Sequence, residues 1–284
     1  MTRKSGALKL AAGVAIATIL FTASTASAMP KLAMERLKAS QSLVELANAS
    51  AWEDAEVPLD APEAARWYRK FAEQGYAGAQ HNLALIYHLG QNVPQDYAEA
   101  LKWYRKAAKQ GYAGSQHTLG VMYETGKGVP QDVTEAARWY RKAAEQGNAG
   151  AQNNLGQMYE DGEGVPQNTI EAVKWYRKAA ELGVAQAQFN LGVAYAKGLG
   201  GIPLDFVQAH MWFNLAAAQG TIDGAALREF VAKSMTPVQI TEAELLAREW
   251  VDQYRNVHQG EATLPERYTG FPSGASATRF SLVQ

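Results

Sequence analysis

No cysteine occurs anywhere in the 284 residues. That excludes disulfide staples and thiolate metal sites, and leaves packing as the source of stability. Charge of either sign is not in excess either: 27 Lys and Arg stand against 28 Asp and Glu. A nucleic-acid binder needs a surplus of Lys and Arg to neutralise phosphates, so no nucleic-acid partner is expected. Signatures of chemistry are also missing. Ser-x-x-Lys is absent, and Thr125-Gly126-Lys127 is not the Lys-Thr-Gly that a penicillin-reactive serine enzyme carries. His-Glu-x-x-His is absent too. Gly120 to Lys127 has the wrong glycine spacing for a phosphate loop, and Gly128 stands where a magnesium-binding Ser or Thr belongs. The five histidines do not converge: His81 and His88 lie two turns apart on one helix, roughly 10 Å by helix rise. No catalytic residue, cofactor or metal is expected.

Long apolar runs are nearly absent as well. The exception is Leu10 to Phe21, preceded by Arg3, Lys4 and Lys9 and followed by Ala26-Ser27-Ala28. A basic start, a short apolar middle and an A-x-A ending form the secretory signal pattern, and the run is too short to span a bilayer comfortably. Residues 1–28 are therefore expected to be a signal peptide cleaved after Ala28, giving a periplasmic or secreted protein without membrane insertion after cleavage. Loss of three basic residues leaves 24 against 28 acidic ones, a mature net charge of −4.

What is abundant is repetition. Asp96 to Gly111 reads DYAEALKWYRKAAKQG, and Asp132 to Gly147 reads DVTEAARWYRKAAEQG. Asp60, Asp96, Asp132, Asn168 and Asp205 open successive copies, and Trp67, Trp103, Trp139, Trp175 and Trp212 mark one later position in each. Self-similarity at a period of 36 or 37 residues means stacked supersecondary units, each unable to bury its apolar face without a neighbour. The copies run 60–95, 96–131, 132–167, 168–204 and 205–235.

Each copy predicts two helices. The first begins at a capping box, pairing Asp60 with Glu63, Asp96 with Glu99, Asp132 with Glu135, Asn168 with Glu171 and Asp205 with Gln208. It ends at Gly75, Gly111, Gly147, Gly183 or Gly220, where a left-handed stop is cheap only for glycine. The second carries Leu83, Leu119, Leu155 and Leu191, each followed by a small residue: Ala84, Gly120, Gly156 and Gly192. Glycine there lowers helix propensity and marks close helix approach. Thr236-Pro237-Val238-Gln239 starts a last helix, 236–254, expected to close the end of the array with a polar back. Residues 29–59 are expected to be either an N-terminal cap or partly disordered, and 255–284 a flexible tail.

The combination E-A-x-[RK]-W-Y-R-K-A-A-E-Q-G, then A-x-A-Q-x-N-L-G-x-M-Y, then G-x-G-V-P-Q-D, resembles the Sel-one-like repeat family, relatives of the tetratricopeptide repeat, over residues 60 to about 254. The resemblance implies an all-α fold, a right-handed superhelical solenoid of helix-turn-helix repeats that scaffolds protein complexes. It also implies protein partners in the bacterial envelope, among them sensor kinases that periplasmic members hold in check. A cysteine-rich subgroup described as binding penicillin supplies an alternative, a cell-wall-active enzyme, although this chain has none of those cysteines. A glycan-binding solenoid is a third reading.

The recurrent bases, such as Arg105 and Lys106, interleave with Glu at helical spacing and read as a solvated, charge-balanced face. The Trp and Tyr stripes read as core. Partner contacts are expected where copies differ while their frame stays constant, at outward positions on the second helices and the loops before them. Those candidates are Tyr76, His81, Leu85, Tyr112, His117, Val121, Asn153 and Gln157. Composition and periodicity leave oligomeric state open.

Overall fold

A computed structural model describes residues 61–90 and 93–257. The expected signal peptide at 1–28, the 29–59 segment, the cap Asp60 and the chain after Val257 lie outside these residues. The described residues form eleven helices and no strand. In chain order these are α1 (Ala61–Glu73), α2 (Ala77–Leu89), α3 (Tyr97–Lys109), α4 (Ala113–Thr125), α5 (Val133–Glu145) and α6 (Ala149–Asp161). There follow α7 (Thr169–Glu181), α8 (Ala185–Lys197), α9 (Phe206–Ala218), α10 (Ile222–Ala232) and α11 (Pro237–Val257).

The odd-numbered helices start where the sequence places them. Asp96 Oδ1 accepts from the backbone N–H of Ala98 and Glu99 at 3.0 and 2.9 Å, and Asp132, Asn168 and Asp205 cap α5, α7 and α9 in the same way. The return arm of the expected box is not made in these four. The N–H of each cap residue donates instead to a tyrosine carbonyl of the preceding helix: Asp96 to Tyr87, Asp132 to Tyr123, Asn168 to Tyr159 and Asp205 to Tyr195, at 2.8–3.0 Å. Three of the acids three places on are thereby released to pair along their own helix, Glu99 with Lys102, Glu135 with Arg138 and Glu171 with Lys174. A reciprocal box forms at α11, where Thr236 N–H donates to Gln239 Oε1 and Gln239 N–H to Thr236 Oγ1.

Glycine sets how closely the helices approach. A Cβ built on Gly120 would stand 2.4 Å from the Tyr140 ring; on Gly156 it would stand 2.7 Å from Tyr176, and on Gly192 2.7 Å from Phe213. Each contact joins the second helix of one sequence repeat to the first helix of the next, α4 to α5, α6 to α7 and α8 to α9. The unit that clasps most closely therefore straddles the boundaries drawn from the caps.

A second device runs across the repeats. Gln80, Gln116, Gln152 and Gln188 are buried, and each donates through Nε2 to a carbonyl of the preceding helix, Ala72, Ala108, Ala144 and Ala180. Three of their Oε1 atoms accept from a glutamine one repeat further on: Gln110 to Gln80 at 2.8 Å, Gln146 to Gln116 at 2.6 Å and Gln219 to Gln188 at 2.8 Å. The donor position for Gln152 is occupied by Leu182, and Gln152 Oε1 is buried without a partner. Around this polar thread Leu83, Leu119, Leu155 and Leu191 are fully buried, each stabilising the fold by about 1.5–3 kcal/mol.

The last helix turns back over α9 and α7. Ala243, Ala247 and Val251 pack into a cluster with Val173, Ala179, Ala180, Trp212 and Leu215, and Tyr254 donates to the Leu182 carbonyl at 3.3 Å. It continues to Val257, three residues past the expected end. Its back is not wholly polar: Val238 is 77% exposed and Leu245 50%.

Candidate protein-binding face

The recurrent bases are engaged within the array. Arg105 donates to Tyr123 OH at 2.8 Å and Arg141 to Tyr159 OH at 2.7 Å; Arg69 pairs with Tyr87, and Arg177 with Tyr195, in the same way. Lys106, Lys142 and Lys178 lie over Trp103, Trp139 and Trp175 at 3.9–4.1 Å from the ring centroids. Glu99 ties the ridge together. Burial raises its carboxyl pKa, but hydrogen bonds from Lys102 and Trp103 and the nearby charges of Lys102 and Arg69 bring it below the usual value. The Arg–Tyr bonds join consecutive helices, and the Lys–Trp contacts lie within one helix.

The eight candidates divide into two groups. Leu85, on α2, is 40% exposed, and Tyr112 and Gln157 are exposed, while Val121 is half-buried against the α5–α6 core. Leu85, Val121 and Gln157 recur at one register and form an outward stripe along the even-numbered helices, joined by Val193 on α8, whereas Tyr112 precedes α4 and packs its ring on His81. The same register reaches Phe230 on α10, 66% exposed. Phe230 was not among the sequence candidates because the fifth copy keeps only an outline of the motif; counting 37 residues on from Val193 finds it.

The other four turn inward, contrary to the outward positions expected of them. Tyr76 packs on the Phe71 ring. His81 lies between helices, its Nδ1 3.0 Å from Ser115 Oγ and its ring against Tyr104 and Tyr112. His117 packs on Tyr140, with Nε2 3.4 Å from the Asn154 amide. Asn153 is only 8% exposed. Burial lowers the pKa of His81 and His117, the latter opposed by Glu124, so both are held neutral near pH 7. The reason is geometric: successive even-numbered helices lie side by side, so an arc that faces away from one neighbour faces the next.

A buried tyrosine on each middle odd helix tests the same joint. Tyr140 OH donates to Glu124 at 2.6 Å and Tyr176 OH to Glu160 at 2.5 Å. One repeat earlier the acid is replaced by His88, and both Tyr104 OH and His88 Nδ1 are buried without a partner. One repeat later Phe213 meets Ala196, and both polar groups are gone together.

Among the described residues no three His, Asp or Glu are grouped to hold a metal, and no helix is long and apolar enough to cross a membrane. What the geometry defines is a helical-hairpin repeat solenoid with an interlocked frame and a variable outer stripe. Five consecutive stretches match the Sel1 repeat, at residues 41–76, 77–112, 113–148, 149–184 and 185–221, and the chain belongs to the Sel1 repeat family. Each matched unit from 77 on opens with an even-numbered helix, and the three from 113 on coincide with the pairs that the glycines clasp. Repeats of this family mediate protein–protein interaction, and their solenoids are typically non-enzymatic scaffolds.

Among solved structures the chain is similar to a Sel1 repeat protein from Oxalobacter formigenes: 37% identity, TM-score 0.58, covering 61% of this chain and 50% of that one. It is also similar to a protective antigen of uropathogenic Escherichia coli displaying an SLR fold, at 29% identity and TM-score 0.43, covering 72% and 60%. A third is an immunity protein from Pseudomonas aeruginosa, at 24% identity and TM-score 0.44, covering 79% and 87%. The chain thus spans half the length of the Oxalobacter protein and 60% of the E. coli one. No curated protein matches.

Proposed function

We propose that this protein is an exported, non-enzymatic adaptor of the bacterial envelope that binds another protein along the stripe Leu85, Val121, Gln157, Val193 and Phe230. One observation carries this reading. Side chains that set the frame recur in successive copies, whereas the stripe changes from Leu to Val to Gln to Val to Phe at a fixed register. Changes there leave the glutamine and arginine–tyrosine contacts untouched, so the surface is free to encode a partner. The basic start, short apolar run and Ala26-Ser27-Ala28 support the exported address, and the sensing domain of a membrane kinase or an envelope assembly factor is the expected kind of partner.

The test is a crosslinked pull-down from envelope extracts with the mature chain and with a Leu85→Glu, Gln157→Arg variant. The mature chain is expected to recover a stoichiometric protein that the variant loses at unchanged thermal stability. Repeated failure to recover a protein, or equal recovery by both, refutes the assignment.

A further inference from the structure

The outer face of α11 carries none of the stripe residues. Its inner side is fixed by Ala243, Ala247 and Val251, by the Thr236–Gln239 box and by the Tyr254 bond to Leu182. The opposite side carries Val238, Thr241, Glu242, Leu245 and Glu249, which with Leu246 line a shallow groove of 530 Å³. At 100° per residue these positions fall on one stripe of the helix. Val238 and Leu245, seven residues apart on a firmly seated helix, place two exposed aliphatic side chains on one stripe, where a solenoid end is ordinarily closed by a polar face.

Charge decides what fits there. The stripe has acids and no base: Arg248, on its flank, pairs weakly with Glu244 at 3.9 Å, and Asp252, further along the helix, pairs with Arg255. Among the described residues neither Glu242 nor Glu249 forms an ion pair. A second copy fits badly, because an antiparallel twofold that sets Val238 against Leu245 also places the two Glu242 side chains side by side. Anionic lipid is repelled by the same carboxylates. We infer that the outer face of α11 is a docking site for a basic amphipathic helix of a protein partner, its apolar residues covering Val238 and Leu245 and its Lys or Arg residues meeting Glu242 and Glu249.

The test uses the full chain and two synthetic helical peptides, one with a leucine stripe flanked by lysines and its twin with glutamate for every lysine, measured by fluorescence anisotropy. The lysine peptide is expected to bind, to lose about tenfold or more in affinity to Leu245→Asp, and to weaken as salt rises. The double variant Glu242→Lys, Glu249→Lys is expected to reverse the preference between the twins. All three substituted side chains lie on the solvent side of α11, and circular dichroism checks that the variants fold. Equal binding of both twins to the native chain, or lysine-peptide binding indifferent to Leu245→Asp, overturns the assignment. So does a native dimer that Leu245→Asp dissociates in sedimentation, or Leu245-dependent binding to phosphatidylglycerol vesicles.

Discussion

Leu182→Gln is expected to stabilise the protein. Gln146 and Gln219 each present an amide N–H to a buried glutamine oxygen one repeat back, Gln116 and Gln188 respectively. Leu182 stands in the position that should serve Gln152, whose Oε1 is buried with no donor. An unsatisfied buried acceptor costs about 1–3 kcal/mol. Against this, Leu182 is already 40% exposed, and glutamine keeps its inner methylenes, so the apolar loss is about 0.5–1 kcal/mol. The backbone carbonyl that receives Tyr254 is unaffected by the exchange.

The net expectation is a gain of about 0.5–2 kcal/mol, or a few degrees in melting temperature for an array of this size. Urea denaturation followed by circular dichroism measures it. Gln146→Leu is the mirror experiment: it strips Gln116 Oε1 of a formed bond and is expected to cost about 1–3 kcal/mol. A Leu182→Gln protein that is no more stable than the parent, beside a Gln146→Leu protein that loses nothing, refutes the idea that this ladder carries stability.

Other consequences are checked by the same denaturation assay. Tyr104→Phe removes a buried hydroxyl without a partner and is expected to be neutral or stabilising, whereas Tyr140→Phe breaks the bond to Glu124 and is expected to cost about 1–2 kcal/mol. Gly120→Leu, forced into the Tyr140 ring, is expected to cost about 3 kcal/mol or more. Burial lowers the pKa of His81, His88, His117 and His210, with Lys127 acting in the same direction on His88 and Arg228 on His210, and Glu124 and Glu244 opposing on His117 and His210. The unfolded chain then binds more protons, so stability is complete above about pH 6.5 and falls as pH drops through that value towards the folded pKa. His81→Asn is expected to flatten that fall, read from urea midpoints at pH 7.5 and 5.5.

Local chemistry was legible in the sequence because it acts within one helix. The caps at Asp96 and Asp132 and the close approach at Gly120 follow from residue type and spacing. Three features were not legible, each for a reason. The return arm of the capping boxes lost to a tyrosine carbonyl from another helix, a competitor that no local motif displays. Reading outward positions one helix at a time puts His81, His117 and Asn153 in solvent, but in a stack each even-numbered helix has a like neighbour, and Ser115 and Asn154 wait on it. The phase of the repeat was ambiguous in principle. A periodic string has no beginning, and the clasp between α4 and α5 joins residues that the caps assign to different copies.

The frame also explains why the clasp is not repeated after α9. At the register of Leu191 and Gly192, which admit the ring of Phe213, the next copy carries Arg228 and Glu229. Arg228 is held by Asn214 at 3.0 Å, and Glu229 is exposed. A further odd-numbered helix seeking the clasp used by α5, α7 and α9 would have to bury Glu229 against an aromatic ring without a partner, at a cost of several kcal/mol. With that route closed, α11 packs instead over Trp212 and the alanines of α7, and the clasp is not repeated because charge stands where glycine would have admitted another ring.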